Sequence, residues 1–141
     1  MIGGTTAHAF AKTHIWAIGS PVLNPHQVKP DAYSLAPYFG NGLNGKDSDI
    51  VDQAKEAIAK RLEGVRRVEE VVQEAGLRML TYEGGQHLKE NSDVFCADPA
   101  VYDVYQYYLG QMEQHFDLFM QYTHNGTHSS GNSWGAKRFI G

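Results

Sequence analysis

The sequence predicts an α/β protein whose short strands run parallel and alternate with helices. Two apolar stripes with helical spacing mark the helices, and short runs rich in aliphatic and aromatic residues lie around them. Alternation of this kind joins parallel strands by right-handed crossovers. The 141 residues suffice for one domain with a core of its own, with no linker or internal repeat to divide it.

The longer helix is predicted for residues 48–75. Its apolar side chains recur at intervals of three and four along an otherwise charged cylinder. These side chains are Ile50, Ala54, Ile58, Leu62, Val65, Val68 and Val72. N-cap candidates stand at residues 47–49, and Gly76 stands where a left-handed residue often ends a helix.

A second helix is predicted from Asp98 to Met112. Asp98 suits the N-cap, and Pro99 suits the first turn because proline has no amide hydrogen to leave unpaired. The stripe that this helix should bury is Val101, Val104, Tyr105, Tyr108, Leu109 and Met112.

Four strand-like runs surround these helices. The clearer three are residues 31–39, 77–83 and 116–124, and a weaker one lies at 1–4. Residues 9–22 fit either a helix or a loop with a helical turn. Polar residues follow the three clearer strands, in "APYFGNG", "YEGGQH" and "QYTHNGTHSSGNSWG". The carboxyl ends of parallel strands are where α/β proteins build their active sites.

Glu83 is the residue at these strand ends that most needs an explanation. It closes an apolar run, although an ionised carboxylate is costly to bury without partners. Gly84 and Gly85 allow a sharp turn and the close approach of a ligand, and Gln86 and His87 add polar contacts. Glu83 is therefore a candidate nucleophile, base or sugar-binding carboxylate; equally, it could pair with an arginine or cap the next element.

Two aromatic residues complete the candidate site. Tyr38 also ends a strand, and its phenol could hydrogen-bond Glu83 if the two strands are neighbours. Trp134 follows the last strand and could stack on a sugar ring. The alternatives are that Tyr38 packs at the rim of the sheet and that Trp134 anchors its own loop.

Several other classes of site find little support in the sequence. A net charge of −4 without a basic face argues against nucleic acid and anionic membranes, and no apolar run is long enough to span a membrane. Cys96 is the only cysteine, and the pair His124 and His128 lies in a non-helical stretch, so no metal is predicted. Neither phosphate-binding glycine loop occurs, and no cofactor is predicted. Ser133 lacks the following helix that a nucleophile elbow requires.

The segments "DAYSLAPYFG", "LTYEGGQHL", "YDVYQYYL", "FMQYTH" and "WG", in this order, resemble the C-terminal half of cellulase-like (β/α)8 barrels related to the retaining glycoside hydrolases of clan A. The resemblance extends from about Gly3 to Gly135. It implies a partial barrel comprising about strands 5–8. It also implies that Glu83 is the nucleophile after the seventh strand, that Tyr38 contacts it from the sixth, and that Trp134 lines the sugar site after the eighth. Gln86 and His87 would shape the sugar subsites.

The same resemblance places the second catalytic carboxylate upstream of this chain. The chain is then expected to be the C-terminal portion, residues 1–141, of a longer polysaccharide-acting protein that is secreted, as such relatives usually are. Open strand edges would favour self-association. Two alternatives remain: a non-catalytic carbohydrate-binding barrel, and a self-contained small α/β domain in which Glu83 forms an ion pair.

Overall fold

A parallel sheet of three strands in the order β1–β2–β3 forms the framework of the protein. The computed structural model describes residues 2–3, 6–123, 126 and 133–135. The strands are β1 (Ile2–Gly3), β2 (Ala32–Leu35) and β3 (Arg78–Thr81). Tyr33 pairs with both Ile2 and Met79, so β2 is the central strand. All four residues of β2 are buried, as expected for a parallel strand covered on both faces.

Four helices accompany the sheet in the described part of the chain. They are α1 (His8–Gly19), α2 (Ile50–Glu74), α3 (Ser92–Ala97) and α4 (Val101–Met112). The helix α1 connects β1 to β2, and α2 connects β2 to β3. Both α1 and α4 pack against α2, which also contacts β3. The ambiguous stretch after β1 is thus a helix, and α3 was not predicted.

The helix α2 confirms the prediction made from its apolar stripe. All seven predicted side chains are buried, together with Val71. Its C-terminus is a Schellman motif: Gly76, at φ +65°, donates to the carbonyl of Gln73, and Leu77 donates to the carbonyl of Val72. Asp49 occupies the N-cap position, but its carboxylate accepts from the side chain of Gln53 and does not cap the helix.

The helix α4 begins three residues after the predicted N-cap. Asp98 still fixes the backbone just before the helix, because its carboxylate accepts a hydrogen bond from the backbone amide of Ala100 at 2.9 Å. Val101, Val104, Tyr108 and Met112 of the predicted stripe are buried. Leu109 is 38% exposed and lies at the margin of the buried face.

The predicted partial (β/α)8 barrel is wrong. In the described residues the fourth predicted strand makes a single bridge, between Leu118 and Leu80 of β3. Two residues further along that segment, the amide of Met120 donates to the side-chain hydroxyl of Thr81 at 2.6 Å and so leaves the ladder. A side-chain hydroxyl therefore replaces a backbone carbonyl as the acceptor at the point where the strand was expected to continue. The end of that predicted strand, at His124, lies outside the described residues.

Replacing Leu62 with alanine should destabilise the protein by about 2–5 kcal/mol, because it leaves a cavity where α2 packs on the sheet. Leu62 is 2% exposed, whereas Leu23, after α1, is 60% exposed. The variant Leu23→Ala removes the same atoms and should change the free energy of unfolding much less. Urea unfolding followed by circular dichroism compares the two, and equal losses would contradict the assigned core.

Candidate functional site

The ladder between β2 and β3 stops at their carboxyl ends and then resumes. Leu35 pairs with Thr81, and the next pair is Phe39 with Gln86. The β3 side therefore uses one residue more than the β2 side to reach the second pair. The ladder is therefore interrupted over residues 36–38 and 82–85, and side chains there leave the alternating pattern of a strand. Glu83 lies in the second of these stretches.

Two glycines let residues 82–85 lie against the segment that follows α4. A Cβ atom on Gly84 would lie 2.9 Å from the ring of Phe119. Gly85 has φ +147°, which side chains rarely allow, and its Cβ would lie 3.0 Å from the carbonyl oxygen of Tyr122. The amide of Tyr122 in turn donates to the carbonyl of Gly84 at 2.7 Å. The two glycines were predicted to let a ligand approach the backbone closely. In the structure, Phe119 and Tyr122 of the protein itself make that approach.

Tyr38 and Glu83 are in contact, as the sequence predicted for neighbouring strands. The phenol of Tyr38 lies close enough to the Glu83 carboxylate to interact with it, and both side chains remain partly exposed. Burial raises the pKa of Tyr38 strongly, and the nearby Glu83 carboxylate raises it further. Tyr38 therefore stays protonated at neutral pH and is able to donate a hydrogen bond to the carboxylate.

Three further rings border this pair. The ring centroid of His87 lies 4.9 Å from that of Trp134 and 5.3 Å from that of Tyr38. Trp134 also lies 5.9 Å from Tyr38 and 6.1 Å from Tyr122. These separations are typical of interacting aromatic pairs. We call Tyr38, Glu83, His87, Tyr122 and Trp134 the aromatic site.

The aromatic site contains four of the five predicted site residues and one that sequence reasoning missed. Tyr122 stands in a run predicted as a strand, so its ring was not assigned to the site. It is 46% exposed. The signal that could have found it was an aromatic residue near the end of a predicted strand, because the ends of the other predicted strands had already supplied candidate site residues.

Gln86, the fifth predicted residue, points into the protein. It is 1% exposed. Its amide nitrogen donates to the carbonyl of Ser133, and its oxygen accepts from the backbone of Leu88 at 2.6 Å. Both ends of the amide are thus used internally, and a contact with a substrate stays a prediction. The observed role of Gln86 is to hold the residue that precedes Trp134.

Other groups fix the same short segment. The Cys96 thiol donates to the Ser133 carbonyl at 3.3 Å, and the Ser133 amide donates to the hydroxyl of Ser92 at 3.3 Å. Burial raises the pKa of Cys96 to about 11, so the thiol stays a neutral donor near pH 7. Thr123 donates to the carbonyl of Trp134 at 3.0 Å. The indole is therefore held on an anchored backbone.

His87 is the site residue whose charge is most sensitive to its surroundings. Burial lowers its pKa below 6.5, the positive charges of Lys89 and Arg61 lower it further, and Glu83 acts in the opposite direction. His87 is therefore neutral at pH 7. Because the unfolded chain binds this proton more readily, its protonation removes stability as pH falls below about 6.5 towards the folded pKa.

No protein family, curated protein or solved structure was found to match this chain. Within the described ranges, no group of three or more His, Cys, Asp or Glu side chains is placed to hold a metal ion. Those ranges also contain no helix that is both long enough and apolar enough to cross a membrane. The site is therefore interpreted from its own geometry.

Substitutions of two of its charged neighbours, Glu83 and Lys89, should move the pKa of His87 in opposite directions. Glu83→Gln removes a negative charge and should lower it further, whereas Lys89→Gln removes a positive charge and should raise it. NMR titration of the imidazole carbon resonances measures both variants and the unchanged protein. A midpoint at or above 6.5 in the unchanged protein, or shifts of the same sign in both variants, would contradict this electrostatic description.

Proposed function

We propose that the aromatic site binds a sugar and that Glu83 is the nucleophile of a retaining glycoside hydrolase reaction. The observation that carries this proposal is a partly exposed carboxylate that lies beside a phenol and is bordered by rings. Rings pack against the C–H faces of a sugar, while a carboxylate and a phenol bind its hydroxyl groups. Few polar groups amid aromatic side chains are typical of a small-molecule site.

In the proposed reaction, the Glu83 carboxylate attacks the anomeric carbon and forms an ester, while the bond to the leaving oxygen breaks. Water then hydrolyses the ester and releases the sugar. A hydrogen bond from the neighbouring Tyr38 to one carboxylate oxygen would orient the group and leave the other oxygen for the attack. The leaving oxygen also needs a proton, from a carboxyl group about 5–5.5 Å from the nucleophile. We assign no described residue to that role.

The alternative is a carbohydrate-binding protein without catalysis. Glu83 is the carboxylate that acts on both Tyr38 and His87. A site with one carboxylate and several rings has what sugar binding requires, whereas hydrolysis requires two carboxyl groups. The resemblance to retaining glycosidases favours catalysis, and the single assigned carboxylate favours binding.

Covalent labelling tests Glu83 directly, because an activated leaving group needs no protonation. A panel of α- and β-configured 2-deoxy-2-fluoroglycosides with dinitrophenyl leaving groups should add one glycosyl group to the protein, at Glu83. Intact-mass spectrometry and peptide mapping detect it. Glu83→Gln should abolish labelling, and the control Glu70→Gln, on the exposed face of α2, should keep it.

Two results would decide against Glu83 as the nucleophile. One is a label on a residue other than Glu83. The other is sugar binding without any covalent adduct across the panel, which would leave the non-catalytic alternative. Calorimetry with Glu83→Gln separates the cases, since loss of the nucleophile should leave the rings able to bind.

The ring contact has its own test, for which the chain offers a matched control. Trp134→Ala should weaken sugar binding by about 1 kcal/mol or more, roughly fivefold in Kd. Trp16 lies on α1, is not one of the residues of the aromatic site, and is 65% exposed. The variant Trp16→Ala should leave the Kd unchanged. Equal effects in calorimetric titrations would remove Trp134 from the sugar site.

A further inference from the structure

A groove of about 530 Å³ runs beside the aromatic site, between α2 and the chain segments that follow β1 and β2. This volume lies in the range of sites that enclose a whole small ligand, roughly 300–1,000 Å³. Its polar margin consists of Thr6, Asn41, Lys60, Arg61, Glu63 and Arg67. We call it the basic groove.

The charge of the basic groove is opposite to that of the chain. The net charge of the chain is −4, yet the groove has three cationic side chains, Lys60, Arg61 and Arg67, against the one carboxylate of Glu63. Lys60 and Arg67 are exposed, so their charged ends are accessible to a ligand. Two guanidinium groups and an ammonium group are suited to carboxylate, sulfate or phosphate oxygens.

Gly64 lies between the two exposed cations, Lys60 and Arg67, on α2. Lys60, Gly64 and Arg67 lie at helical positions i, i+4 and i+7, which share one face of α2. A Cβ atom on Gly64 would lie 3.1 Å from the carbonyl oxygen of Thr6. The chain after β1 can therefore approach the helix between the two cations and form the side of the groove.

Arg61 connects the basic groove with the aromatic site. Its Nε donates to the carbonyl of Tyr38 at 2.8 Å, and its Nη1 donates to the hydroxyl of Thr6 at 2.6 Å. Phe39 and Gly40, which directly follow Tyr38, line the groove. The groove and the aromatic site are therefore joined through Arg61 and the backbone of residues 38–40.

We propose that the basic groove binds the anionic substituent, a carboxylate or sulfate, of an acidic polysaccharide whose neighbouring sugar lies on the aromatic site. The inference rests on the proposed function, since it assumes that the rings hold a sugar, and it names the substrate class of that site. An inorganic anion alone would fill little of the groove. An oligosaccharide supplies both the anion and the sugar ring that the two adjoining surfaces fit.

The test compares two double variants of α2 that each remove two positive charges. Lys60→Gln with Arg67→Gln alters the groove and keeps Arg61, which anchors Tyr38. The control, Lys55→Gln with Arg66→Gln, alters cations outside the groove lining. The ligands are oligouronates with their carboxyl-reduced counterparts, sulfated oligosaccharides with their desulfated counterparts, and inorganic phosphate and sulfate. Calorimetry at low salt measures each Kd, since salt screens exposed charges.

The unchanged protein should bind at least one acidic oligosaccharide about tenfold or more tightly than its neutral counterpart. The groove variant should lose that preference and retain the affinity for the neutral sugar, and the control should retain both. Inorganic anions should bind far more weakly than the acidic oligosaccharide.

Four results would overturn the inference. Neutral binding that depends on Trp134, without any acidic preference, would refute the groove and leave the proposed function standing. An equal loss in the control variant, or equally tight binding of inorganic phosphate, would refute the groove as a polysaccharide subsite. Failure of every oligosaccharide to bind would refute the proposed function together with the groove.

Discussion

The break in the ladder between β2 and β3 is the constraint on which the aromatic site depends. Backbone pairing is restored at Phe39 and Gln86, so the additional residue on the β3 side must leave the sheet between two fixed points. Glu83 lies in that displaced stretch, opposite the shorter stretch that contains Tyr38. Had the register continued unbroken, the strict alternation of a strand would have fixed the direction of both side chains.

The balance between burial and hydrogen bonding explains why a carboxylate is tolerated at this position. Glu83 is only partly buried, so water still solvates part of its charge, and the Tyr38 phenol lies close enough to interact with the carboxylate. Gln86, three residues later, is almost fully buried, and both ends of its amide have partners inside the protein. Two polar residues that are close in sequence thus have different roles. Glu83 is partly exposed to solvent, and Gln86 holds Ser133, the residue that precedes Trp134.

Sequence reasoning correctly predicted the helices whose apolar periodicity and end signals lie within the helix and its flanking residues. The stripe of α2 extends from Ile50 to Val72, and Gly76 follows the end of the helix, so periodicity and capping agree. The convergence of Tyr38, Glu83 and His87 followed from the rule that parallel strands end at one edge. The prediction of a fourth strand was wrong because the Thr81 hydroxyl accepts a hydrogen bond from the amide of Met120. No pattern in residues 116–124 reveals this tertiary contact. The inward direction of Gln86 likewise depends on Ser133, far away in sequence.

Arg61 shows how one side chain can join two surfaces and still leave ligand binding to its neighbours. Two of its nitrogens are committed to Tyr38 and Thr6, so its position is fixed by the protein before any ligand arrives. A lysine would offer a single ammonium and could not span both acceptors in the same fixed geometry. Because Arg61 is held in this way, its charge raises the potential at both the groove and His87. The exposed cations Lys60 and Arg67 then contact solvent and remain available for direct ion pairing.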